Sequence, residues 1–361
     1  MKTTLVVVSL LLTLLPETGN TDNAQNRLPI IDMHMHVRPA DHYGPPPMLL
    51  CAPTVNMPRW DPREPIELIF EPRPEDPPCP NPLWSPKTDE EVFRQTIEVM
   101  ERHNIYGVLG GQPEQVTAWT KAAPGRFIPG LDFRLDRATG TATPGAAEAA
   151  KSYQPLTPDS MRELYEAGVF KVLAEVLNAF GGIAPDDERM APYWALAEEL
   201  DFPVGIHIGP GAPGEFYLGN QGFRARLQSA LTMEEVLVRH PRLRVYIMHA
   251  GYPFLDDMRA VLFSYPQVYV EVGLISNLES RPAFHRFLQG LVESGYGERI
   301  MFGTDGTVWP GLIEVSINAI EQAPFLSEDQ KRDIFYNNAA RFLRLSDEEI
   351  ARHHGRAPGN E

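Results

Sequence analysis

From Leu28 onward the chain alternates short apolar runs with longer amphipathic stretches, the pattern left by a parallel sheet buried on both faces and crossed by helices. Eight apolar runs stand out: Pro29 to His34, Tyr106 to Gly110, Phe127 to Asp132, Val169 to Glu175, Val204 to Ile208, Arg244 to His249, Val268 to Val272 and Ile300 to Gly303. Helical periodicity fills residues 89–103, 187–200 and 232–240. Thr88 and Thr232 are expected as N-caps, each with a glutamate three residues on, Glu91 and Glu235. Eight strands with helical crossovers predict an α/β fold of the (β/α)8 TIM-barrel kind. An open doubly wound sheet is the alternative, but no glycine fingerprint follows the first run.

The regularity breaks between the first strand and the first helix, where residues 39–86 hold 15 of the 35 prolines and both cysteines, Cys51 and Cys79. Barrel active sites are assembled from the C-terminal ends of strands, so this insertion is expected to cover the pocket and help select the substrate. In an exported chain the two cysteines are expected to pair, although the spacing alone leaves two free thiols open.

Composition narrows the choices further. At 361 residues and 43% hydrophobic content the chain can bury a full barrel core in one catalytic domain. A net charge of -16 opposes docking on phosphate backbones, so nucleic acid is not an expected partner. Lys2 followed by the apolar run Leu5 to Leu15 has the shape of a signal peptide over residues 1–24, shorter than an ordinary membrane span. A periplasmic or secreted protein, free of the membrane once the leader is removed, is the expectation. Residues 346–361 read as a polar tail after a domain over 28–345.

Candidate chemistry sits at the strand ends. His34 and His36 are two apart, so on a strand both imidazoles project from one face, an arrangement suited to a metal. Glu175, His207, His249 and Asp305 fall at or just past the ends of the fourth, fifth, sixth and eighth strands, and in a barrel all such ends meet at one mouth. Lys171 lies four residues before Glu175 and would share its face on a regular strand. His103, His240, His285, His353 and His354 lie in helical stretches or the tail and are read as solvated or structural, and His42 belongs to the insertion.

The stretches IIDMHMHV, PVGIHIGPG, RVYIMHAG, IMFGTDG and NNAARFLRL, in this order from about Leu28 to Leu345, resemble the amidohydrolase-related group of the amidohydrolase superfamily, which includes the aminocarboxymuconate-semialdehyde decarboxylase type. The resemblance implies that His34, His36, His207 and Asp305 hold a divalent metal, zinc with manganese or iron as substitutes. It implies that His249 acts on water or substrate beside one metal, or ligates a second, with Glu175 as a bridging carboxylate. A single ion is the expectation.

A metal so held lowers the pKa of water to about 7. With Asp305 as general acid-base and His249 polarising the carbonyl, hydrolysis of a small lactone, amide or ester is the expected reaction. Non-oxidative decarboxylation of a small unsaturated or aromatic acid uses the same ligands and is the alternative. It calls for an arginine to fix the substrate carboxylate, and Arg38, Arg59 and Arg63 are at hand. A barrel that only binds its ligand is a third, weaker reading. Trp309, Phe216, Tyr217 and Trp60 are candidates to line an apolar pocket. The partner expected is a small-molecule substrate, and a homo-oligomer is compatible with such a barrel.

Overall fold

The computed structural model describes residues 27–70, 79, 82–135 and 154–356. The proposed leader and the last residues of the proposed tail lie outside them. No helix among the described residues is long and apolar enough to cross a membrane.

Eight strands run parallel in sequence order: β1 (Ile30–His36), β4 (Ile105–Gly110), β5 (Phe127–Phe133), β6 (Val172–Val176), β7 (Val204–His207), β8 (Val245–Met248), β9 (Tyr269–Glu271) and β10 (Ile300–Met301). The ring closes where Met33 N–H donates to Phe302 O (2.9 Å) and His36 N–H to Gly306 O (2.7 Å). A bridge between Met35 and Gly306 joins the same two edges. The expected TIM barrel is therefore the fold. Predicted strand limits shift by a few residues; the fourth starts at Val172, three residues later than expected. Tyr246 crosses the barrel axis, its hydroxyl 3.1 Å from both Met33 O and Ala174 O, and closes the floor beneath the site.

Two of these strands are irregular where it matters. Between Asp32 and Met35 β1 slips against β4, and β6 slips against both neighbours around Ala174 and Glu175. A bulge breaks the alternation of a strand and re-aims a side chain. The parity argument that placed Lys171 and Glu175 on one face consequently fails. Lys171 precedes the strand and is exposed, while Glu175 is buried in the barrel.

Thr88 caps the helix Asp89–Arg102, accepting from Glu91 N–H. Thr232 does not act as expected: Ser229 caps the 3-10 turn Ala230–Met233, and the α-helix begins only at Glu234. Thr232 donates to Ser229 O instead (2.7 Å). Nor is the C-terminal segment a plain tail, because Asp347–His353 is helical behind a capping box of Ser346 and Glu349. His353 is buried there, stacked on Tyr106 (3.7 Å between ring centres) and 3.1 Å from the Tyr336 hydroxyl.

The proline-rich insertion carries an antiparallel pair, β2 (Leu49–Cys51) and β3 (Pro82–Trp84). Cys51 and Cys79 form a disulfide, their Cα atoms 5.7 Å apart. The segment reaches over three loops at the C-terminal rim of the barrel. Thr54 N–H donates to Leu278 O (2.8 Å), Met48 O accepts from Trp309 Nε1–H (3.0 Å), and Trp60 lies against Tyr217 (4.9 Å).

Candidate metal centre

At that rim six side chains from five strand ends converge. The two imidazoles of β1 face each other, His34 Nε2 to His36 Nε2 at 2.9 Å. Asp305 Oδ1 lies 3.5 Å from the first nitrogen and 3.2 Å from the second. On the other side Glu175 places Oε1 3.8 Å from His34 Nε2 and Oε2 3.4 Å from His36 Nε2. The same Oε1 is 2.8 Å from His207 Nδ1, which in turn is 3.1 Å from His249 Nε2. His34, His36 and Glu175 thus form one ligand group and Glu175, His207 and His249 a second, with the carboxylate common to both, while His34, His249 and Glu271 form a third. All six sequence candidates are brought together.

The backbone is bent to achieve this. His249, Ala250, Leu274 and Asp305 adopt φ of 56°, 49°, 62° and 52°. Left-handed conformations at non-glycine residues cost on the order of 1–3 kcal/mol each and persist where the surroundings impose them. Gly209 supplies room opposite, since a Cβ there would lie 2.5 Å from that of His249.

A further layer that the sequence reading missed sets the tautomers. Glu271 Oε2 lies 3.1 Å from His34 Nδ1, whereas His36 Nδ1 has both Asp132 Oδ2 at 3.3 Å and the donor Arg38 Nη2 at 3.1 Å. His249 Nδ1 is 2.9 Å from Gly273 O, an acceptor only, so that nitrogen carries the hydrogen. With neutral rings, His34 and His249 turn a bare Nε2 lone pair inward. Two lone pairs 2.9 Å apart repel unless a proton or a metal ion lies between them. Donor spacings of 2.8 to 3.8 Å also match the edges of a coordination shell with bonds of about 2.1 Å. The donor set therefore fits a divalent ion. Asp132 and Glu271 do leave a trace in the sequence, being single acids in otherwise apolar strands, but only burial separates them from surface acids.

The acids around the imidazoles favour a positive charge in the cluster, proton or metal ion. Burial pushes His34 toward the neutral form, yet Asp305 and Glu271 overcome it and raise the pKa to about 10. Burial also works against ionised Glu175, but His36 and the bond from His207 hold it well below the usual carboxylate range. Asp305 is depressed as well, by His34 and His36 against burial. His249, desolvated and beside His207 and His34, falls to about 4 and stays neutral. Asp32, accepting from His34 N–H and from both Thr304 N–H and its hydroxyl, is raised to about 7 by burial.

Other candidates are placed differently. Arg38 reaches the centre but binds Asp132 (2.9 Å), whereas Arg59 is exposed and Arg63 pairs with Asp61 at the surface. His103, His240 and His285 bond to Glu314, Glu198 and Ala319 O, in keeping with structural roles.

Comparison with known proteins follows this geometry. The sequence model of the amidohydrolase family matches residues 31–345. A segment of 161 residues, 40% of this chain, is 20% identical to Protein fluG of Emericella nidulans, of which it spans 18%. The barrel superposes on a probable 2-pyrone-4,6-dicarboxylic acid hydrolase from Acinetobacter baumannii with a TM-score of 0.51 and 16% identity, covering 88% of this chain and 99% of that one. For 5-carboxyvanillate decarboxylase from Sphingomonas paucimobilis the TM-score is 0.50 at 15% identity, with 89% and 100% covered. At such identities the likeness concerns the fold.

Proposed function

This chain belongs to the amidohydrolase family, and from that membership we propose that it is a metal-dependent hydrolase that adds water to a small carbonyl substrate such as a lactone, ester or amide. The observation that carries this reading is that Glu175 is shared by two of the three ligand groups, which suits a pair of ions rather than the single ion expected from sequence. His34, His36 and Asp305 would hold one ion, His207 and His249 the other, with Glu175 bridging. A divalent cation supplies a water of lowered pKa, about 7, and polarises the carbonyl.

The remaining chemistry belongs to the side chains. Asp305, ionised and 18% exposed where the cluster opens, takes the proton of the attacking water. The water oxygen bonds to the carbonyl carbon, the bond to the leaving oxygen or nitrogen breaks, and Asp305 returns the proton to that atom. His249 cannot donate to the developing oxyanion, because its hydrogen is committed to Gly273 O. It serves through its lone pair instead.

Decarboxylation draws less support. Of the three arginines expected to fix a substrate carboxylate, only Arg38 reaches the centre, and its Nη2 already pairs with Asp132. Export, the other expectation from sequence, is supported by the Cys51–Cys79 bridge, since such bonds persist in oxidising compartments. The test is an assay of zinc- and manganese-loaded protein against lactones, esters, amides and aromatic carboxylates, with carbon dioxide recorded. We expect water consumption, two ions per chain by elemental analysis and no gas. Carbon dioxide released from an aromatic acid would overturn the hydrolytic reading.

A further inference from the structure

With His249 unable to donate, any hydrogen bond to the oxyanion beside the cation must come from elsewhere in the mouth. The insertion brings one. Tyr43 lies in a tight turn seven residues after His36, closed by Gly44 N–H to Asp41 O (3.0 Å). Its ring stacks on Trp309 (5.3 Å, 26° between planes) and meets His42 edge-on (4.6 Å). Trp309 is itself pinned by the bond from its Nε1 to Met48 O, so the wall is fixed on both sides. The phenol comes close enough to the Thr307 side chain, two residues beyond Asp305, for the two to interact. Where Thr307 donates, the phenol hydrogen is left for another acceptor. The residue as a whole remains 46% exposed, an accessible aromatic face beside a buried cluster. Burial, then the charge of Asp305, push the phenol pKa up to about 12, so it stays protonated through the neutral range.

We propose that Tyr43 is the substrate-contacting donor of this site: its hydroxyl donates to the carbonyl oxygen, which becomes the oxyanion, while its ring and Trp309 hold the adjoining planar face of the substrate. The assignment rests on the hydrolytic reading above. It also gives the insertion a definite task, since no barrel strand contributes this group.

The test compares wild type, Tyr43→Phe and Tyr43→Ala, each loaded with zinc. Benzohydroxamate, a metal-seeking carbonyl with an aromatic ring, is titrated by calorimetry, and turnover is followed with 4-nitrophenyl acetate and dihydrocoumarin. Tyr43→Phe is expected to bind the hydroxamate about tenfold more weakly and to lose roughly 100-fold in kcat with little change in KM. Zinc content and melting temperature should stay at wild-type values. Tyr43→Ala should lose further affinity and raise KM as the stacking face goes. Equal hydroxamate affinity in wild type and Tyr43→Phe would overturn the assignment even if ester hydrolysis persists. Conversely, weakened hydroxamate binding together with carbon dioxide release from aromatic acids would keep Tyr43 as the donor and remove the hydrolytic reading.

Discussion

At Asp305, burial and the charges of His34 and His36 pull in opposite directions, and the charges prevail. A carboxylate kept ionised at the opening of the cluster can accept a proton without leaving its ligands. Asp305→Asn preserves the shape and removes that basicity, so turnover should fall by a factor of 10³ or more while the melting temperature changes little. Full activity in this variant would contradict the assigned role. Glu271 and Asp132 act one step out: Glu271 faces Nδ1 of His34, and Asp132 shares Nδ1 of His36 with Arg38. Glu271→Gln and Asp132→Asn should each weaken zinc binding about 10- to 100-fold in a competitive chelator titration. Unchanged affinity in both would mean that the tautomers are set by something else.

Among the secondary-structure elements, irregularity is functional. The slip in β6 turns Glu175 into the barrel, and an ideal strand with Lys171 and Glu175 in phase would not have done so. The C-terminal helix Asp347–His353 has a titratable residue at its end. Burial, then Arg352, lower the pKa of His353 from 6.5 to about 4. An unfolded chain therefore takes up a proton near pH 6.5 that the folded chain refuses until about pH 4. Stability contributed at this position is intact above pH 6.5 and drains away as pH falls toward 4. His353→Phe, which keeps the stacking on Tyr106, should flatten the urea midpoint across that window. A slope as steep as that of wild type would place the acid sensitivity elsewhere.

Taken whole, the molecule concentrates Asp32, Asp132, Glu175, Glu271 and Asp305 within one mouth, with Arg38 among them. Buried like charges cost folding free energy unless protons or cations compensate them. Bound metal should then stabilise the native state, by about 2.7 kcal/mol at a concentration 100 times Kd. Stripping with EDTA should lower the melting temperature by roughly 5 °C, and zinc should restore it. No shift on stripping would argue against a resident ion at this centre. The barrel and the insertion contribute different things: the strand ends supply the ligands, and the insertion supplies the wall above them.

Much of this was legible before any coordinates. Apolar runs of strand length separated by helical ones determine a parallel barrel, because hydrophobic periodicity follows which faces are buried. Barrel closure then brings strand ends to a single rim, which is why His34, His36, Glu175, His207, His249 and Asp305 could be named from position alone. What the sequence could not carry depends on distances between segments far apart in the chain. The bulge that re-aims Glu175, the carboxylates of Asp132 and Glu271 behind the histidines, the hydrogen of His249 committed to Gly273 O and the approach of Tyr43 to Thr307 are all of this kind. A side chain's direction and its partner's protonation are properties of packing, and only the folded chain decides them.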